Sequence, residues 1–345
     1  MSTARREALV RCAVVPLLII AMVTAMSGCI LRRSPSPAQP ALTQAQAIAV
    51  VRSYAAGWAR VMSKRDRAVL RRIQTGTALA VTTAYLNGQE ALHEPLGEAP
   101  RLREAKVVVP RGERPAFPAH FLALVTWTSL DVYPYREVLE FEQPSRGAPW
   151  RVQTQARLVD NVPLPSVAIG ADGFATPVDA RDDEHLRFGA KALAELLSSY
   201  YDDDQQVATS RAAYDRVVAQ GPFTSGLTKR RAAANRDYQL QQVRQYQPGA
   251  YRTAAYRLSD GGGLLMLTFT GSRQMFPKDR QVVPFIRQDG SRHNLGPFIP
   301  PGAYSAVDYE TTAMLAVEVP PAGSKRQLRV VAWEEQDTSA TTSPP

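Results

Sequence analysis

The sequence predicts an α+β fold: two tandem units, each a group of helices followed by an antiparallel sheet, behind a cleavable N-terminal signal. Three observations carry this expectation. The apolar residues repeat at spacings of three and four, then switch to period two, and this order occurs twice. Short segments of the two halves match at nearly equal offsets. Leu124-Val125-Thr126-Trp127-Thr128 matches Met266-Leu267-Thr268-Phe269-Thr270 at 142 residues, and Arg72–Gly76 matches Val217–Gly221 more loosely at 145. The 345 residues, 45% hydrophobic and 21% charged, can also bury a core larger than one small domain needs, which excludes a wholly disordered chain.

Residues 1–28 read as the signal. Arg5, Arg6 and Arg11 precede an apolar run from Cys12 to Met26, which contains Pro16 and is shorter than the ~20 residues a permanent span needs. Residues 29–42 follow as a tether, where Ser34-Pro35-Ser36-Pro37-Ala38-Gln39-Pro40 favours extended backbone.

The first unit is expected over 43–160. Thr43-Gln44-Ala45-Gln46 fits a capping box, and Ile48, Val51, Ala55, Trp58 and Met62 form a helical stripe that Val69 and Ile73 resume before Gly76, a suitable stop. Phe121, Ala123, Val125 and Trp127 alternate with Leu122, Leu124, Thr126 and Thr128 as a strand, with further strands near 105–109, 136–142 and 150–158. Residues 161–180, with Pro163, Pro165, Gly170, Gly173 and Pro177, read as a linker.

The second unit is expected over 181–336. Leu186, Ala190, Leu193, Leu197 and Tyr200 make a helical stripe, with helical patterns near 207–219 and 230–246. Strands are expected near 254–258, 264–270, 306–319 and 328–333, with Asp260-Gly261-Gly262-Gly263 turning between the first two. Trp127 and Phe269 are expected to point into their cores. The Ser/Thr/Pro-rich residues 337–345 are expected to be a disordered tail.

Met26-Ser27-Gly28-Cys29 resembles the lipobox of a bacterial lipoprotein signal, with Met26 where Leu is usual. The resemblance implies cleavage before Cys29 and lipidation of its thiol. Cysteine usage agrees: Cys12 leaves with the signal, so Cys29 is the one mature cysteine, a liability in an oxidising compartment unless modified. Helices that cover one face of a curved antiparallel sheet resemble the NTF2-like cone. The order of elements over 43–336 is similar to that of two-unit membrane lipoproteins of high-GC Gram-positive bacteria. This implies a fold with an open apolar funnel and transfers no catalytic residue.

The net charge of +9 becomes +7 once residues 1–28 are removed with three Arg and one Glu. The surplus lies in residues 30–170, with 18 basic and 11 acidic side chains, whereas 171–345 hold 20 of each. That half would be drawn to an anionic membrane or acidic wall polymer. Nucleic acid fits poorly, because aromatics interleaved with basic residues are missing.

No catalytic signature stands out. His93, His120, His185 and His293 form no His-Glu-x-x-His, and Asp182-Asp183-Glu184 before His185 fits helix capping better than a metal cluster. The run Asp202-Asp203-Asp204 lacks the alternate spacing and Gly turn of a calcium loop. Glu140 and Glu142 share one strand face about 7 Å apart, near a glycosidase pairing distance, but are expected on an exposed face without a cleft. Gly-x-Ser-x-Gly, Ser-x-x-Lys and phosphate-loop patterns are absent. The expectation is therefore a non-catalytic binding or interaction module of the cell envelope, lipid-anchored at the outer face of the membrane through Cys29. No catalytic, metal or cofactor residue is assigned, and the partner would be an envelope protein or anionic wall polymer. An envelope hydrolase with an acid/base pair in a pocket is the alternative, and an importer's solute receptor a weaker one.

Overall fold

A computed structural model describes residues 40–344. The exceptions are 92, 94, 97, 113–116, 129–133, 161, 180–183, 202–213, 227–239, 249–254, 278–282, 286–298, 300 and 301. The signal, Cys29 and most of the tether lie outside the described residues, as do Asp182, Asp183, His293 and the Asp202–Asp204 run.

Helix α1 (Gln44–Lys64) starts at the expected capping box: the Thr43 side chain accepts from the Gln46 N–H, and Thr43 N–H donates to Gln46 Oε1 at 2.7 Å. Its buried stripe is Ala47, Val51, Tyr54 and Val61, so the helix is rotated from the expected stripe and leaves Ile48 and Ala55 on its flank. Tyr54 drives the rotation, because its ring packs edge-on against Phe141 at 5.6 Å and buries more area than Ile48 could. Helix α2 (Arg67–Ile73) is capped by Asp66, whose carboxylate accepts from Val69 N–H at 2.9 Å. The stop after Ile73 is found, but Gly76, at φ +53°, opens a further helix, α3 (Gly76–Ala91). That helix has no stripe because it is buried on several sides, through Ala78, Val81, Thr82, Ala84 and Leu86.

Four strands follow as a meander: β1 (Arg101–Val108), β2 (Ala119–Thr128), β3 (Tyr135–Gln143) and β4 (Arg151–Leu158). Helix α4 (Ala190–Tyr201) precedes β5 (Leu240–Pro248), β6 (Ala255–Arg257), β7 (Gly263–Pro277), β8 (Val283–Phe285), β9 (Gly302–Tyr304), β10 (Ala306–Val319) and β11 (Arg329–Ser343). Strands of both halves join one antiparallel sheet in the order β1-β2-β3-β4-β11-β10-β7-β5, with β6 beside β7. Where the sequence predicts two domains, Pro40–Pro345 is one compact unit. The join is narrow: Leu158 pairs with Ala332, Arg157 with Trp333, and Val159 N–H donates to Val331 O at 3.0 Å.

Two segments differ from expectation. Of the helical pattern expected over 230–246, residues 230–239 lie outside the described residues and the rest belongs to β5, whose nine residues pair along the edge of β7. The tail from Asp337 is no loose end but prolongs β11 to Ser343, paired with Ala306. Its threonines suit a strand, and its backbone groups find partners in a neighbour long enough to receive them. The linker is likewise fixed on both sides. Arg111 N–H donates to Ala175 O at 2.8 Å and Ala175 N–H returns to Val109 O at 2.8 Å, while Ala168 N–H donates to Arg257 O and Val178 N–H to Ala255 O.

Trp127 and Phe269 are both fully buried, as expected. Phe121, Ala123, Val125 and Trp127 pack with Leu139, Phe141 and Val152 beneath α1. The other face of β2, β3 and β4, through Leu122, Val138 and Ala156, joins the core of Leu265, Met266, Met314 and Leu315. At the β6–β7 turn, a Cβ on Gly262 would lie 2.5 Å from the Val319 carbonyl oxygen, so backbone must move. Gly262→Ala should cost about 1–3 kcal/mol in urea unfolding, whereas Gly173→Ala, with open space around it, should lose only its backbone preference.

Candidate functional site

Two concave sites stand out among the described residues, and neither centres on the residues that the sequence brings forward. The first is a groove of about 590 Å³ between α1 and the edge strand β1. It is lined by Ile48, Arg52 and Ala55 from α1 and by Leu102, Arg103, Glu104 and Ala105 from β1, so apolar surface lies beside two arginines and one carboxylate. The rotation of α1 that buries Tyr54 is what leaves Ile48 and Ala55 to line this groove. Nearby charges are matched: Arg101 pairs with Glu98 at 2.9 Å and Lys106 with Glu104 at 3.4 Å. Arg52 and Arg103, both exposed, have no ion pair or hydrogen bond among the described residues.

The second site is the join of the sheet. A pocket of about 280 Å³ is lined by Arg157, Asp160, Pro222, Trp333, Glu334 and Glu335. Burial raises the Glu334 carboxyl above its ordinary range, Glu335 adds to this, and Arg157 opposes it. Glu137, opposite Arg157 in the β3–β4 ladder, is pushed up to about 7, chiefly by burial and further by Glu334. The Trp127 indole N–H donates to Glu137 Oε2 at 2.7 Å and, with Arg157, works against that rise. Arg157 also lies over the Tyr135 ring, 4.9 Å from its centre. On the α1 side, Gln74 Nε2 donates to the Tyr54 hydroxyl at 3.1 Å and to Gln155 Oε1 at 3.2 Å, and burial raises the Tyr54 hydroxyl. A carboxyl that titrates near neutrality can hold or release a proton at physiological pH.

Glu140 requires a correction. It is 1% exposed, not on an open face, because the second half of the sheet packs over the face of β3 that carries Val138 and Glu140. His120 Nδ1 lies 3.3 Å from Glu140 Oε1, whereas Glu142 is opposite His120 in the ladder and only partly buried. The Tyr256 hydroxyl is buried in the same region, and burial together with Glu140 raises it. The structure thus brings His120 and Glu140 together but separates them from both concave sites. His93 sits exposed in a turn and His185 is exposed ahead of α4. Among the described residues, no group of three or more His, Cys, Asp or Glu could hold a metal ion.

Sequence reasoning missed Glu137, Arg157, Arg52 and Arg103. A signal existed for Glu137, an acid at an alternate position shared with Leu139 and Phe141 on the apolar face of β3. None existed for the Arg pair, since only the packing of α1 on β1 brings residues 52 and 103 together.

The profile of a family described as a domain of unknown function, DUF8094, matches residues 38–342. No curated protein and no solved structure matches the chain.

Proposed function

The chain belongs to the DUF8094 family, and we propose that it is an extracytoplasmic lipoprotein, held to the cell membrane through Cys29, that binds an anionic component of the envelope without transforming it. The observation that carries the binding reading is the α1–β1 groove, where two unmatched guanidinium groups lie beside apolar surface. The lipobox-like Met26-Ser27-Gly28-Cys29 supports the anchor. Among the described residues no helix is long and apolar enough to cross a membrane. The basic surplus of residues 30–170 suits an acidic wall polymer or an acidic envelope protein as partner, and nucleic acid does not fit an exported chain.

Mass spectrometry of the mature N-terminus tests the anchor. The expected first residue is a diacylated Cys29, and Cys29→Ser should release the protein from the membrane without altering its unfolding curve. An intact Met1, or a processed but unacylated start, would refute it. Crosslinking and pull-down from intact membranes would then separate a protein partner from a small ligand.

A second reading, an envelope hydrolase, is favoured by the burial that pushes the Glu137 carboxyl up to about 7, with Glu334 adding to the rise. Hydrolysis of envelope esters or glycosides that disappears in Glu137→Gln while the variant stays folded would establish it. The importer-receptor reading has less support, since that class is built on parallel sheets and every strand pair among the described residues is antiparallel.

We also read the halves as tandem copies of one NTF2-like unit. The meanders β1-β2-β3-β4 and β5-β7-β10-β11 run outward from the join in mirrored order. The matched segments lie on β2 and β7, each second from its edge of the sheet. Helix α1 packs on β1 as α4 packs on β5. Superposition of the halves should place Val125 and Trp127 on Leu267 and Phe269.

A further inference from the structure

We propose that the α1–β1 groove seats the phosphate headgroup of an anionic phospholipid from the membrane that anchors the chain, an inference that rests on the reading of Cys29 as the anchor. Three features of the molecule support it.

The first is charge. Arg101 and Lys106 on β1 are matched by Glu98 and Glu104, and on the first two helices Arg60 pairs with Asp66 and Arg67 with Glu90. Arg52 and Arg103 are not matched and, unlike Lys64 and Arg71, which also have no ion pair among the described residues, they share one groove. Two planar guanidinium groups that line one groove suit a phosphate, whose oxygens accept paired N–H bonds, and Glu104, the one carboxylate in the lining, is paired with Lys106.

The second is the apolar lining. Ile48, Ala55, Leu102 and Ala105 offer apolar surface beside the cations. A phospholipid presents a phosphate directly above its glycerol and acyl carbons, whereas a poly(glycerol phosphate) chain is polar along its length. A polymer would also be matched by a row of free cations, and here the flanking ones are already paired.

The third is reach. Cys29 precedes Pro40 by eleven residues, which span at most roughly 40 Å. Arg52 lies only two turns into α1. The groove is therefore built in part from the helix nearest in sequence to an acylated Cys29, within tether reach of the bilayer, where anionic headgroups are concentrated and each basic residue adds to attraction.

The test uses the mature lipidated chain in phosphatidylcholine vesicles with increasing phosphatidylglycerol. Ser53, exposed on α1 beside Arg52, is changed to Cys and labelled with a fluorophore, the thiol of Cys29 being acylated. Quenching by headgroup-labelled lipid should rise with the anionic fraction. Arg52→Gln/Arg103→Gln should weaken the groove–membrane equilibrium roughly thirty-fold, and Arg101→Gln, which removes a matched charge, less than about three-fold. Equal quenching in neutral vesicles, equal losses in both variants, or saturation of the label by soluble poly(glycerol phosphate) in place of the anionic lipid would overturn the proposal. Flotation with neutral vesicles reports the anchor separately. A chain that floats but shows no anionic quenching refutes the groove alone, and one that does not float refutes the anchor and the groove reading with it.

Discussion

Trp127→Ala should lower the free energy of unfolding by about 3–5 kcal/mol. Trp127 is fully buried between α1 and the sheet, 6.5 Å from the Tyr54 ring, in the cluster that also holds Phe121, Val125 and Phe141. Truncation opens a cavity that stacked and edge-on rings cannot collapse into without losing their own contacts. It also removes the indole N–H from Glu137 and leaves a buried carboxyl without its donor. Phe269→Ala, equally buried on β7, should cost a similar amount. Urea unfolding of both variants is the measurement, and near-unchanged stability in either would mean that its ring is not part of a packed core.

The pH dependence of stability should change shape in Glu137→Gln. The carboxyl stands near 4.5 when exposed and is pushed up to about 7 in the fold, so burial favours its protonated form. Below pH 4.5 both states carry the proton and the group costs nothing. Between pH 4.5 and 7 the unfolded chain ionises first, so the wild type loses stability as pH rises, by roughly 3 kcal/mol in all, and the loss levels off above pH 7. The Gln side chain does not titrate, and its amide can still meet the groups around the Trp127 indole. The variant should therefore match the wild type near pH 4.5 and exceed it at pH 8. Arg157 and Glu334 are present in both proteins, and their coupling to the Glu137 carboxylate is part of what the substitution removes. Parallel profiles would show that some other group carries the dependence.

Much of the architecture was legible because strands with one buried face betray themselves by alternation, as Phe121–Thr128 does, and because α1 announces its start with a capping box. Helix α3 was hidden: buried on several sides, it has no apolar stripe to detect. The residues Leu240-Gln241-Gln242-Val243-Arg244-Gln245 favour a helix by intrinsic propensity, and only the long β7 beside them makes them a strand. Burial of Glu140 depends on the second half of the chain closing over the first, a long-range contact that no local pattern records. The α1–β1 groove depends on the rotation of one helix by about one residue, finer than apolar spacing alone resolves.

The narrow join between β4 and β11 makes completion of the fold wait for β11, far along the chain from β4. Leu158 and Ala332 are 174 residues apart, so closing that loop costs on the order of 4–5 kcal/mol before the contact returns anything. A chain synthesised from its N terminus can form β1–β4 early, yet until β11 arrives that sheet ends in an open strand edge and leaves Leu122, Val138 and Ala156 uncovered. Nascent or prematurely terminated chains are then prone to associate edge to edge with one another. A stop codon just before Arg329 takes away the strand on which both halves close, and its product should aggregate instead of folding as a shortened protein.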